Sequence, residues 1–136
     1  MKYEIKNFNE DDEEEIKKLL IGRKVKVIHY NDRKGLLILD NGIILIVEAN
    51  EGCGGCSNGC YSIYKLNDID NAITNVEFET NKLNPSEEND YSDNSYKIFV
   101  FCEDKRINLL DVSGSDGNGY YGTGYSIKVI DTYIKE

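Results

Sequence analysis

Three cysteines, Cys53, Cys56 and Cys60, fall within the glycine-rich stretch NEGCGGCSNGCYS, residues 50 to 62. Thiolates at Cys-x2-Cys spacing can meet at one ion, and zinc asks for four such ligands in a tetrahedron. Cys102, in the apolar stretch IFVFCED, or the sole histidine, His29, would complete the set. Two other readings fit the same residues. The cysteines can be plain thiols, with Cys102 a buried free cysteine, or a redox pair. Redox CxxC motifs usually open a helix after a strand, whereas the residues after Cys60 have no helical period. Structural zinc usually draws on two paired knuckles, and a second pair is missing here. Zinc, inert thiols and redox use all stay open.

A second stretch with chemical potential is SGSDGNGYYGTGYS, residues 113 to 126. Closely spaced glycines free backbone N–H groups to form an anion-binding nest. Tyr120, Tyr121 and Tyr125, beside Gly119, could stack on a base or flat ring. Arg106, on the neighbouring hairpin, is the nearest counter-charge for an anion. The Gly-Lys-Ser/Thr ending of a nucleotide-hydrolysing loop is absent, and a strand rather than a helix follows. A nucleotide-like small molecule is therefore the ligand class to expect. The alternative is a long hairpin loop whose tyrosines pack over the sheet edge.

Catalysis finds little support. A triad needs a base, and His29 lies on a strand without a nucleophile of recognisable context nearby. Carboxylate pairs are inevitable among 25 acidic residues, so their proximity says nothing. The chain is expected not to be an enzyme.

The elements that must carry these stretches follow from periodicity. NEDDEEE, residues 9 to 15, precedes Ile16, Leu19, Leu20 and Ile21, with Lys17 and Lys18 close behind. Acid before base along an apolar stripe suits the helix dipole, and predicts an amphipathic helix over 10–21 that stops at Gly22. KVKVIHY then alternates Val25, Val27 and His29 against Lys24, Lys26 and Ile28. GLLILDNGIILIVEA reads as two apolar strands joined at Asp40-Asn41-Gly42, where Asn-Gly predicts a type I′ hairpin. Residues 23–49 thus form a three-stranded meander. AITNVEFET, YKIFVFCE, INLLDVSGS and YSIKVIDTYI supply further strands, with YSIYKL a short strand or turn and a hairpin turn at Asp104-Lys105-Arg106. The expected fold is α+β, mainly antiparallel β: about seven strands over 23–133 and one N-terminal helix, in a single domain spanning 1–136.

A chain of 136 residues with a net charge of −9 is a poor fit for a nucleic-acid backbone binder. No apolar run is long enough to span a bilayer. MKYEIKNFNEDDEEE has no apolar leader, so a cytoplasmic, reducing setting is expected.

Three stretches together resemble a family of short, functionally uncharacterised proteins found largely in bacteriophages and prophage-bearing bacteria. They are LIGRKVKVI…LLILDNGIILIVEANEGCGGC, LNDIDNAITNVE and INLLDVSGSDGNGYYGTGY, spanning about residues 19 to 130. The shared features fall on Gly22, Asn41-Gly42, Cys53 with Cys56, and Asn118-Gly119-Tyr120-Tyr121. Family members vary around the cysteines, and the acidic N-terminal helix lies outside the pattern. The resemblance implies a phage-type accessory protein that binds and modulates a host protein, including in evasion of antiviral defence. Glu10 to Glu15 and Asn84 to Asn94 are the expected contact regions. A nucleotide-sequestering protein and a metal-stapled structural domain, whose partners are its own copies in a homo-oligomer, are the rival readings.

Overall fold

The computed structural model describes residues 4–9, 11–50, 61–82, 94–114 and 124–131. Nine strands and one helix follow in the order β1 (Glu4–Asn9), α1 (Glu13–Leu20), β2 (Val25–Tyr30), β3 (Lys34–Leu39), β4 (Ile44–Ala49), β5 (Tyr61–Leu66), β6 (Asn75–Lys82), β7 (Asn94–Cys102), β8 (Lys105–Gly114) and β9 (Tyr125–Asp131). All strand pairs are antiparallel. They build a five-stranded sheet, β1-β9-β4-β3-β2, and a four-stranded sheet, β5-β8-β7-β6. The class is therefore mainly antiparallel β with one short helix. Among the described residues no helix is long and apolar enough to cross a membrane.

The inner faces of both sheets share one core. Leu37, Leu45, Val47 and Ile127 from the larger sheet meet Ile98, Val100, Leu110 and Val112 from the smaller. α1 closes one side of this layer, packing near β1 and β6. Its Ile16 and Leu20, one turn apart on a single face, are 0% and 2% exposed, while Glu13, Glu14 and Glu15 face solvent. Hydrogen bonds close the other side. The β5–β6 connection lies along the outer edge of β2, where Val25 and Ile69 exchange both backbone bonds (3.0 and 2.8 Å). The Asp68 carboxylate accepts from the Val27 N–H at 2.6 Å, and the Asn67 N–H donates to the Leu109 carbonyl on β8 at 3.0 Å. This connection joins the two sheets and covers an edge that would otherwise offer unpaired groups.

Local structure departs from the sequence reading in four places. The helix runs over Glu13–Leu20, shorter than expected, because Asp12 is its N-cap and Gly22, at φ +85°, follows the C-cap. The residues before it form β1, an unexpected strand that pairs with β9 through Ile5↔Ile130 and Phe8↔Ile127. The Asp40-Asn41-Gly42 hairpin forms, but not as type I′. Only Gly42 has positive φ (+92°), its N–H donates to the Leu39 carbonyl, and the Leu39 N–H donates to Ile43. That is a type I turn followed by a left-handed glycine, a three-residue loop. The β7–β8 turn lies at Glu103-Asp104, one residue earlier than expected, with Cys102 opposite Lys105. Glu103 has φ +55°, the one non-glycine among the described residues in that region.

At one end of the sheets, Tyr96 stands between Tyr61 (ring centroids 5.7 Å apart) and Tyr125 (5.9 Å). All three rings are buried, and the buried Asn94 amide donates to the Tyr61 hydroxyl at 3.0 Å. Gly124 lies flat on this cluster: a Cβ there would run into the Tyr96 ring.

Two stability outcomes follow. Gly124→Ala pushes a methyl group into a ring held on both sides, and is expected to cost about 1–3 kcal/mol, read as a lower urea midpoint at unchanged slope. Glu103→Asn places a residue that tolerates the left-handed region at φ +55°. It is expected to add up to about 1 kcal/mol and raise Tm by roughly 3–5 °C.

Candidate functional site

Of the residues that the sequence grouped, the structure describes Cys102, His29, Arg106 and Tyr125. Cys53, Cys56, Cys60, Gly119, Tyr120 and Tyr121 lie outside the described residues. Cys102 is buried at the end of β7 beside the Glu103-Asp104 turn. Asn94, at the other end of that nine-residue strand, is the residue that bonds Tyr61, the neighbour of Cys60. A strand of that length spans about 26 Å. Cys102 and Tyr61 therefore stand at opposite ends of β7. His29 lies towards the end of β2 where the Asp32 carbonyl accepts from the Ile63 N–H of β5 at 2.8 Å. A bulge between Val27 and His29 moves the histidine out of the alternation and onto the outer face, opposite Leu36. Among the described residues, no group of three or more His, Cys, Asp or Glu is placed to hold a metal.

Arg106 and Tyr125 do not form one ligand site either. Tyr125 is a core residue, 2% exposed. Arg106 sits on the outer face of the smaller sheet, opposite Phe101 and about 20 Å along β8 from Val112, the partner of Tyr96. Its guanidinium lies 3.6 Å from the Phe99 ring centroid and bonds Glu77 (2.5 Å) and Glu79 (3.5 Å). The hydrogen bond to Glu77 is the largest cause of its raised pKa; desolvation, the next largest, opposes it, and the charges of Glu77 and Glu79 add to the rise. The arginine is thus occupied by this protein's own acids. Of the expected contact regions, Asp11 and Glu13 to Glu15 are exposed around the start of α1.

A cleft of about 280 Å³ lies between α1, β1 and β9, with Phe8, Leu19, Ile43 and Val129 as its floor. Its volume is just below the usual range for ligand pockets. Lys6 and Asp131 on its rim have partners of their own.

The most unusual surface is the outer face of the five-stranded sheet. Strand alternation turns Leu37, Leu39, Leu45, Val47, Ile127 and Val129 inward, so Leu36, Ile38, Ile44, Ile46, Lys128 and Ile130 face out. Cross-strand register aligns four isoleucines in one row: Ile38 opposite Ile44, Ile44 opposite Ile130, and Ile130 opposite Ile5. Leu36 and Ile46 form the next row, continued by Lys128 and Asn7. Ile5 is 49% exposed and Ile28, on the adjoining edge strand, 51%; the others are half-buried. Lys26, paired with Ile38, and Lys34, paired with Glu48, stand at the margin. A solvated antiparallel face normally carries polar residues. This one is aliphatic across four strands.

The sequence held a signal for this face. GLLILDNGIILIVEA is apolar without alternation, the pattern of strands covered on both sides. Its reading as two apolar strands left open which residues face outward. Ile5 and Ile130 could not be added without the register that joins the two ends of the described chain.

The chain matches no curated protein and no solved structure. A family model described as a domain of unknown function, DUF7448, matches residues 18–127. That span begins within α1, ends within β9, and includes Leu36, Ile38, Ile44 and Ile46 but neither Ile5 nor Ile130. The chain belongs to the DUF7448 family.

Proposed function

We propose that this is a non-catalytic binding protein whose aliphatic sheet face is its principal protein-contact surface. The row Ile38, Ile44, Ile130 and Ile5 carries the reading. Single exposed apolar residues are ordinary, but a contiguous aliphatic patch with a polar margin marks a contact site. Leaving such side chains in water forfeits roughly 25 cal/mol for each Å² that a partner would cover.

Charge supports a division of labour. Lys26 and Lys34 border the face together with Glu48, and Lys128 stands within it between Ile46 and Asn7, whereas the exposed acids of α1 and the pair Glu77 and Glu79 lie on other surfaces. The phage-type setting implied by the sequence resemblance adds a host protein as a partner, in the bacterial cytoplasm, with evasion of antiviral defence as its purpose. Asp11 and Glu13 to Glu15 are the surface available to it once the sheet face is covered.

Amine-reactive labelling in a bacterial lysate tests the contact surface. Lys26, Lys34 and Lys128 are expected to be protected from modification, or cross-linked to another chain, relative to dilute purified protein, while Lys18 on α1 reacts equally in both. Equal reactivity of these three lysines in both conditions would contradict the reading.

A further inference from the structure

The same face also indicates what covers it. We propose, building on the reading above, that its occupant is a second copy of this chain, packed sheet against sheet about a two-fold axis.

Extent is the first argument. Five strands of about six residues make a face of roughly 24 Å by 20 Å in projection, and side-chain relief enlarges its accessible area. That approaches the roughly 600–800 Å² per partner at the lower end of specific interfaces.

Chemistry is the second. The centre of the face is made of Leu36, Ile38, Ile44, Ile46 and Ile130, with no aromatic or arginine side chain among them. Contacts between different proteins tend to rely on Trp, Tyr and Arg anchors, whereas homodimer contacts are more apolar and resemble a core divided in two. A continuous aliphatic sheet is the inner face of a sandwich, and stacked sheets of this kind interlock at about 10 Å.

Symmetry is the third. The strand order puts β4 in the middle, with two strands on either side. A two-fold axis in the interface plane, passing over β4, lays Ile44 and Ile46 of one copy on the same strand of the other. The aliphatic rows then overlap without either copy shifting to an edge. Two-fold dimers are the commonest closed assembly.

Charge does not oppose the arrangement. The exposed acids of α1 and of the outer face of the smaller sheet point away from the junction. Lys26 and Lys34 stand at the margin, and Lys128 lies within the junction beside Ile46, one row from Glu48; lysine stems can lie along apolar surface while their ammonium groups reach towards water. Pairing through the free edge of β2 is a poorer alternative, because the β5–β6 connection already bonds Val25 and Val27 there.

Sedimentation equilibrium of the full chain, with circular dichroism and thermal melts on every variant, tests the proposal. The wild type is expected at twice the chain mass, with Kd on the order of a micromolar or tighter. Ile44→Lys places a charge at the centre of the junction and is expected to raise Kd by about 100-fold or more. Ile46→Thr keeps a β-branched side chain and the fold, and is expected to raise it roughly tenfold. A folded wild type that stays monomeric at about a hundred times that concentration overturns the proposal, as does a dimer unaffected by both substitutions. Should the protein be monomeric while Lys26, Lys34 and Lys128 are protected by a different protein, the contact surface stands and the second copy does not. Monomeric behaviour with no protection removes both.

Discussion

The structure depends on how a helix fills the gap between two sheets. On the β2 side, hydrogen bonds from the β5–β6 connection hold the sheets together. On the β1 side the fully buried Ile16 and Leu20 do so by packing. Burying such side chains stabilises the fold by about 1.5–3 kcal/mol each. Without α1, the inner residues Leu45, Ile98 and Leu110, which face the same small internal space as Ile16 and Leu20, would border water. The acids that begin the helix follow from its anchored face: Ile16 and Leu20 point inward and turn Glu14 and Glu15 outward, while Glu13, on the same stripe one turn earlier, is exposed because the helix starts there.

Much of this architecture was readable in the residues. Asn41-Gly42 between two apolar runs located the central hairpin, and with it β2, β3 and β4 as neighbours. Acids followed by an apolar stripe located α1. What escaped the reading depends on distant partners. β1 is a short strand of mixed polarity, EIKNFN, and its identity comes from β9, more than a hundred residues away. The bulge beside His29 and the turn class at Gly42 are settled by how the strands must twist to share a core. Both yield geometry that alternation and residue preference cannot specify. The candidate contact face was half legible: its unbroken apolar runs were plain, but its width needed the register. The two motifs that looked most like chemistry, around Cys56 and Tyr121, fall outside the described residues. Their expected outliers, Cys102 and Arg106, proved to be a core thiol and a surface ion-pair partner.

The arrangement also separates polar from apolar duties. Acid is concentrated on α1 and along β6, where Glu77 and Glu79 enclose Arg106 against Phe99. Aliphatic surface is concentrated on the opposite layer. A protein with a net charge of −9 can therefore have one adhesive side and still repel unspecific neighbours elsewhere.

The pairing of β1 with β9 has a consequence for biosynthesis. β9 lies between β4 and β1, so the larger sheet has no continuous hydrogen-bond ladder until β9 has left the ribosome. Before then β4 presents a bare edge and the isoleucine row is interrupted. Contacts between such remote segments form slowly, and a nascent chain in that state is prone to cluster with others. Production of this protein is thus most vulnerable in the interval between translation of β4 and emergence of β9.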